Sequence, residues 1–419
     1  MVEPATLISD RRLATPINDV LLIAGECAAE IDELLRGSDE EIISAASANE
    51  VSPVGVCRLA IVEPDQRRLA LARKVVARGV PRRGRNDIYF SPEPLLTSDK
   101  LLAFMYPGLE PDSAPDVTEI AEHFQLDGWQ MHGGSSAEVR SQNIITSGRV
   151  LTSALREIGV TPDVAAGHSL GEWTAQIAVG LRDRDKIDAV LKWVIPQVCA
   201  TADLVYAAVG CSAAHATAAL GEMIESGDVV ISHDNCPRQI VVCGPPDHID
   251  AAVSKLRDTG VLAQVLPLRT GFHTPMIAPV FEQAANWIHE VPLAKPDAPV
   301  WSGTTAQPFP DDPAEIAEMT RRLLVEPVRF RELVENMYEH GVSVFVQIGR
   351  GSVRGFIEDT LRGRDHLAVE VERPGRGGLR QLHQVAAALW SAGRPIRLDR
   401  LRAGANAAPA NRRDEKAGR

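Results

Sequence analysis

The chain has 419 residues, of which 45% are hydrophobic and 24% charged, with a formal net charge of −12. That length implies two or three domains, and the balance is that of a globular protein with a sizeable core. The acidity argues against a general nucleic-acid binder, and no apolar run reaches the roughly 18 residues of a membrane span.

Residues 1–15 read as a flexible arm, and the start MVEPATLISDRR lacks the apolar core of a secretory signal, so a cytoplasmic protein is expected. From 16 to 98 the pattern is that of a small α+β unit. Val20–Ala24 and Val56–Val62 are predicted strands, with amphipathic helices over 26–36 and 64–79. The charged, turn-rich stretch PRRGRND (81–87) marks a boundary, and Leu101–Tyr106 opens a larger α/β body. A helix over 137–158 and a strand over 163–167 follow.

Residues 203–268 read as an insert with strands at 205–209, 229–232, 239–243 and 261–267 and helices over 213–226 and 246–259. The order β-α-β-β-α-β is that of a ferredoxin-like unit, and a cleft is expected between it and the body. The body resumes at 269 and runs to 365 with a further strand, Val344–Ile348; a segment over 366–402 and an Ala-rich tail over 403–419, expected to be disordered, complete the chain. Cys27, Cys57, Cys199, Cys211, Cys236 and Cys243 form no C-x-x-C pair. Buried free thiols are expected rather than a disulfide framework or zinc site.

The chemistry concentrates at Gly167-His168-Ser169-Leu170-Gly171, which follows the apolar run Val164-Ala165-Ala166 and precedes a helix opening Glu172-Trp173-Thr174-Ala175. This G-x-S-x-G spacing is that of a nucleophile elbow, a sharp strand-to-helix turn that holds a serine at its apex. Glycines flank the serine because side chains there would collide with the neighbouring strand and helix. The helix N-terminus offers N–H groups to an oxyanion forming on an acyl carbonyl. A nucleophilic serine needs a base, and the candidate is His273 in Gly271-Phe272-His273-Thr274-Pro275-Met276, where the chain re-enters the body.

These motifs carry a resemblance. GHSLGE (167–172), GFHTPM (271–276), YPG (106–108), SHDNCPRQIVVCGP (232–245), EPVRF (326–330) and VQIG (346–349) fall in order and at matching spacing. Together they resemble the acyltransferase domains of type I polyketide synthases and the malonyl-CoA:acyl-carrier-protein transacylases. The resemblance runs from about 18 to 400 and takes in the linker unit that precedes such domains and the segment that follows them. It implies an α/β-hydrolase-like large subdomain with an inserted ferredoxin-like small one. It makes Ser169 the acylated nucleophile and His273 the general acid/base, the imidazole being oriented by the main-chain carbonyl of Leu323. The oxyanion hole falls to the N–H groups of Leu170 and Leu109. The family has G-Q-G-S-Q where this chain has Gly108-Leu109-Glu110-Pro111-Asp112, so the backbone donor is kept while Pro111 stiffens the loop.

One departure is informative. Malonyl-type members hold the substrate carboxylate with an arginine, and the matching position here is Val194, within Leu191-Lys192-Trp193-Val194-Ile195-Pro196. A malonyl carboxylate beside valine would be desolvated without a partner, at a cost of roughly several kcal/mol. A non-carboxylated acyl group is therefore expected, with His168, Trp193, Val194, Phe272 and Asn235 around it. Arg182 and Arg184 in the loop GLRDRD are expected to be solvated turn charges. Thr270-Gly271-Phe272-His273 resembles the selectivity motif of members that use unbranched units.

The resemblance implies an acyl-CoA or acyl-carrier-protein thioester as donor and a carrier-protein phosphopantetheine thiol as acceptor, with no bound cofactor. It also leaves room for docking to a ketosynthase-bearing synthase. Arg321, Arg322, Arg329, Arg350, Arg354 and Arg362 form either a carrier-docking face or charges that balance an acidic surface. No metal is implied, because His132, His215, His233, His248 and His289 lack ligand spacing. The functional readings are an acyltransferase for a non-carboxylated group, an editing hydrolase with the same dyad, a malonyl transacylase with Lys192 or a loop arginine as substitute clamp, and a non-catalytic docking protein.

Overall fold

The computed structural model describes residues 13–17, 20–48, 54–110, 116–201, 203–279, 291–372 and 378–401. The expected tail over 403–419 and residues 1–12 of the expected arm lie outside these.

The N-terminal unit is a sheet of five antiparallel strands: β1 (Leu13–Ile17), β2 (Val20–Gly25), β3 (Cys57–Val62), β4 (Arg82–Arg83) and β5 (Ile88–Ser91), in the order β1-β2-β3-β5-β4. The two strands legible in the sequence, β2 and β3, are central. β5 is four residues long and buried throughout, so it offers no alternation to read. Helices α1 (Ala28–Leu34), α2 (Asp39–Ala48) and α3 (Gln66–Arg78) accompany the sheet. Leu21, Ile23, Leu59 and Ile61 face Leu69 and Val76 of α3, while Val20, Leu22, Ala60 and Val62 point the other way into the body. This is the period-2 alternation of a sheet covered on both faces.

The body begins with β6 (Leu101–Tyr106), α4 (Thr118–His123), α5 (Ala137–Glu157), β7 (Val164–Gly167), α6 (Leu170–Ala178) and α7 (Arg184–Thr201). α7 runs through Pro196. The inserted unit follows: β8 (Val205–Val209), α8 (Ala213–Leu220), α9 (Glu222–Glu225), β9 (Val230–Cys236), β10 (Gln239–Gly244), α10 (Pro246–Asp258) and β11 (Ala263–Arg269). Its sheet order is β11-β8-β10-β9 with antiparallel pairing throughout, the ferredoxin-like arrangement. The helix expected over 213–226 is broken at Gly221, whose φ of 45° lies in the left-handed region.

The body resumes with β12 (Val300–Ser302), β13 (Gln307–Pro308), α11 (Pro313–Val325), α12 (Phe330–Glu339), β14 (Val342–Gln347), α13 (Val353–Thr360), β15 (Leu367–Glu370) and α14 (Gly378–Ser391). Its sheet has the order β13-β12-β7-β6-β14-β15, parallel except for β13. Helices cover both faces, so β6, β7 and β14 are near-continuous apolar runs. Ser169 follows the C-terminal end of the interior strand β7, where ligands of open α/β sheets bind.

Cys57, Cys236 and Cys243 are buried free thiols, whereas Cys27 is exposed. Among the described residues no helix is long and apolar enough to cross a membrane.

Candidate active site

The elbow geometry follows from its glycines. A Cβ on Gly167 would lie 2.0 Å from the Gly171 carbonyl carbon, and one on Gly171 would lie 1.9 Å from the Tyr106 carbonyl oxygen. Strand β7, helix α6 and the end of β6 therefore touch backbone to backbone. The turn places Ser169 at φ 55° and ψ −120°, a strained conformation for a residue with a Cβ. Such strain persists only where its surroundings over-determine it, and here it lifts the hydroxyl clear of the sheet.

Ser169 Oγ lies 2.7 Å from His273 Nε2. His273 Nδ1 donates to the Leu323 carbonyl at 2.7 Å, which fixes the tautomer and leaves Nε2 as the acceptor of the serine proton. The His273 backbone N–H donates to Leu324 O at 2.8 Å, so α11 holds both ends of the histidine. His273 itself has φ 64°. Its loop is pinned by a residue the sequence did not single out: the Tyr206 hydroxyl donates to Phe272 O and accepts from Gly271 N–H, both at 2.9 Å. Burial raises the Tyr206 pKa, which keeps this donor protonated.

The other two histidines of the cluster also belong to the body–insert seam. His168 Nε2 lies 2.7 Å from Asn235 Oδ1, and Asn235 Nδ2 donates to Gln239 Oε1 at 3.0 Å, so His168 is the donor. His233 stacks on His168 at 5.3 Å and meets His273 edge-on at 4.9 Å between ring centroids. Strand β9 is stitched to the body by Asp234 N–H to Val328 O and Val328 N–H to Ser232 O, both 2.9 Å. Burial lowers the pKa of all three imidazoles, that of His273 to about 3. A charged neighbour would add repulsion, so the cluster is neutral at pH 7.

Leu170 is the first residue of α6, and Leu109 lies in the loop after β6. A Cβ on Gly108 would meet His168 O at 2.7 Å and Ser169 Cβ at 3.2 Å, so this loop packs directly on the elbow. Among the described residues no acceptor engages the N–H of Leu170 or Leu109. The loop is tied down by Glu110, whose carboxylate accepts from Ser352 N–H at 2.7 Å and Ser352 Oγ at 2.9 Å. Pro111 and Asp112 lie outside the described residues.

A cavity of about 260 Å³ opens at Ser169 between the body and the insert, with mainly apolar walls. Leu109, Leu170, Trp173, Leu191, Val194 and Leu268 are among its lining residues, and His168, Phe272 and Asn235 also border it. Val194 is buried, whereas Lys192 is exposed on the same helix and does not line the cavity. Trp193 lies in α7, but its side chain is outside the described structure. Among the described residues no lysine or arginine borders the cavity.

Arg182 corrects an expectation. It is not a solvated turn charge but is buried, donating to Gln176 Oε1 at 2.8 Å and Thr320 Oγ1 at 3.0 Å. Its guanidinium lies 6.0 Å from the centroid of Trp173, and burial lowers its pKa to about 10. The turn folds under α6 because Leu181 and Arg182 bond back to Gln176 O. Arg184 is partly buried and paired with Asp188 at 3.2 Å. The six arginines of the later body each have a carboxylate close by. Arg321, Arg322, Arg329, Arg354 and Arg362 approach Glu318, Glu326, Glu332, Glu358 and Asp359 at 2.6–3.1 Å, and Arg350 lies 3.7 Å from Glu372.

A parallel α/β body with an elbow serine, interrupted by a ferredoxin-like insert, is the two-subdomain acyltransferase fold. The acyl transferase domain family matches residues 148–371, more than half of the chain, and the chain belongs to that family. Among its relatives is the malonyl CoA-acyl carrier protein transacylase of Bacillus subtilis, 29% identical over 234 residues that span 54% of this chain and 73% of that protein. The polyketide biosynthesis protein ThaF of Burkholderia thailandensis is 30% identical over 203 residues, 48% of this chain but 17% of that protein. The acyltransferase domain from module 8 of the salinomycin polyketide synthase has the same fold, with a TM-score of 0.73 at 18% identity over 92% of this chain and 98% of that one. A Streptococcus pneumoniae MCAT reaches a TM-score of 0.56 at 23% identity, covering 64% of this chain and 95% of that one.

Proposed function

We propose that this chain transfers a non-carboxylated acyl group from a thioester, on CoA or a carrier protein, through acyl-Ser169 to the phosphopantetheine thiol of a carrier protein. The observation that carries this reading is the 2.7 Å contact between Ser169 Oγ and His273 Nε2, with Nδ1 anchored on the Leu323 carbonyl. As Oγ attacks the thioester carbonyl, its proton passes to Nε2. The N–H groups of Leu170 and Leu109 receive the oxyanion, the C–S bond breaks, and His273 returns the proton to the departing thiolate. The incoming thiol runs the same steps in reverse. A backbone carbonyl in place of a carboxylate orients the imidazole without adding a charge.

The acyl-group assignment rests on the cavity walls. Val194 and its apolar neighbours give a malonyl carboxylate no partner, and the acidic wall residue, Glu110, supplies no cation in their place. A second reading, malonyl transfer, draws on the transacylase relatives and on buried Arg182, which lies against Trp173 and donates to Gln176, Thr320 and the Val291 carbonyl rather than to a carboxylate. Intact-protein mass spectrometry after mixing with acetyl-, butyryl-, hexanoyl- and malonyl-CoA decides between them, with Ser169→Ala as control. The expected result is serine-dependent adducts from the simple acyl donors and none from malonyl-CoA. A malonyl adduct alone overturns the assignment. Adding an acylatable carrier protein then separates transfer from hydrolysis of the acyl-serine.

A further inference from the structure

The polar wall atoms of the cavity are largely bonded to the protein itself. Ser141 Oγ donates to Ala137 O at 2.7 Å, the Tyr206 and Thr270 hydroxyls pair at 2.9 Å, and Asn235 bridges His168 and Gln239. His233 differs. Ser232 Oγ lies 3.1 Å from Val241 O, which can only accept, and 2.9 Å from His233 Nδ1; with one hydroxyl proton to give, both contacts are hydrogen bonds when the imidazole proton is on Nδ1. Nε2 is then a lone-pair acceptor on a ring that borders the cavity, and among the described residues no donor reaches it. The ring is held between His168 and His273, and the low pKa of the cluster keeps the lone pair available at neutral pH. An acceptor in a mainly apolar cavity is unfavourable unless something donates to it.

Position limits what that donor is. The His233 ring lies 4.9 Å from the ring of His273, whose Nε2 touches the serine that carries the acyl carbonyl. We propose that His233 Nε2 accepts a hydrogen bond from an O–H or N–H group on the acyl chain, within two or three atoms of the thioester carbonyl. The substrate class becomes a short non-carboxylated acyl thioester bearing a hydroxyl or amino donor. This rests on the acyl-Ser169 reading and narrows it. A site built around such a bond rejects the analogue that lacks the donor, because its own acceptor is then left unmet.

The test compares initial rates of Ser169 acylation by butyryl-CoA with those by 2-hydroxy- and 3-hydroxybutyryl-CoA, both enantiomers of each, in the wild-type chain and in His233→Ala. In the wild type one hydroxylated donor is expected to load at least about tenfold faster than butyryl-CoA, with that ratio falling to about one in His233→Ala. The ratio, not the absolute rate, is read, so general disturbance of the cluster does not imitate the effect. Equal loading of all donors by the wild type, or a preference that survives in His233→Ala, overturns the proposal while leaving the acyl-serine reading intact. Failure of every acyl group to load, from CoA and from a carrier-protein thioester alike, overturns the acyl-serine reading and this one with it.

Discussion

His273 sits in a shell that opposes its protonation. Burial first, and then the neighbouring His168, push its pKa from 6.5 down to about 3, against hydrogen bonds to the Leu323 and Glu326 backbone that favour the charged form. The imidazole therefore keeps its lone pair far into acid. A solvent-exposed histidine base would lose half its activity near pH 6.5, whereas acylation of Ser169 is expected to hold level down to roughly pH 5. Burst-phase CoA release between about pH 4 and 8 checks this, and a midpoint near 6.5 would show that the site is wet. Stability has the same sign. Between the unfolded value near 6.5 and the folded value near 3 the unfolded chain binds the extra proton, so acidification through that window destabilises the fold. His168 and His233, also buried and lowered, add to the slope.

Glu172 shows how helix α6 is anchored. It lies in the helix's first turn, fully buried, and its carboxylate accepts from Gly303 N–H at 2.7 Å and Ser302 Oγ at 3.2 Å, tying the elbow to the end of β12. Burial outweighs those two bonds and raises its pKa to about 8. The linkage now runs the other way. The folded state binds the extra proton between about 4.5 and 8, so this contribution to stability is lost as pH rises through that window. Glu172→Gln keeps an acceptor for Gly303 N–H and carries no charge. Its melting temperature relative to wild type is expected to rise from pH 5 to about pH 8 and level off above it, and a difference independent of pH would place Glu172 as an ionised anchor. The elbow was legible because its demands are local: two glycines, a serine, and a strand and helix adjacent in sequence. The insert was legible because strands and helices alternate with clear periods. Tyr206, His233 and Arg182 were not, since what each side chain does is set by partners distant in sequence. Tyr206 meets the loop before His273 some 64 residues on, and Arg182 meets Thr320 across 138. The short strands β4 and β5 escaped for a different reason, having too few residues to show a period.

The N-terminal sheet and the body share one core. Val20, Leu22, Ala60 and Val62 of the sheet belong to the same buried cluster as Phe104, Leu151 and Val344 of the body, and helix α14 supplies Leu382, Val385, Leu389 and Trp390 between them. Polar contacts cross the same seam. Arg58 Nη1 donates to Trp390 O at 2.7 Å with its guanidinium 5.3 Å from that ring, Gln384 Nε2 donates to Asp87 at 2.8 Å, and Leu96 N–H donates to Ala392 O at 2.8 Å. A sheet that buries one face against another unit cannot leave it without exposing that face, so the two are expected to unfold together. Trp390 is 2% exposed, and truncating it removes the largest fully buried side chain among the described residues and leaves a cavity in the shared cluster. Trp390→Ala is expected to cost about 3–5 kcal/mol. Hydrogen exchange then discriminates: amides of β2 and β3 in the sheet and β6 and β7 in the body should lose protection in parallel in the variant. Loss confined to β2 and β3, with β7 and the elbow still protected, would mean that the N-terminal unit is an independent module resting on the acyltransferase body.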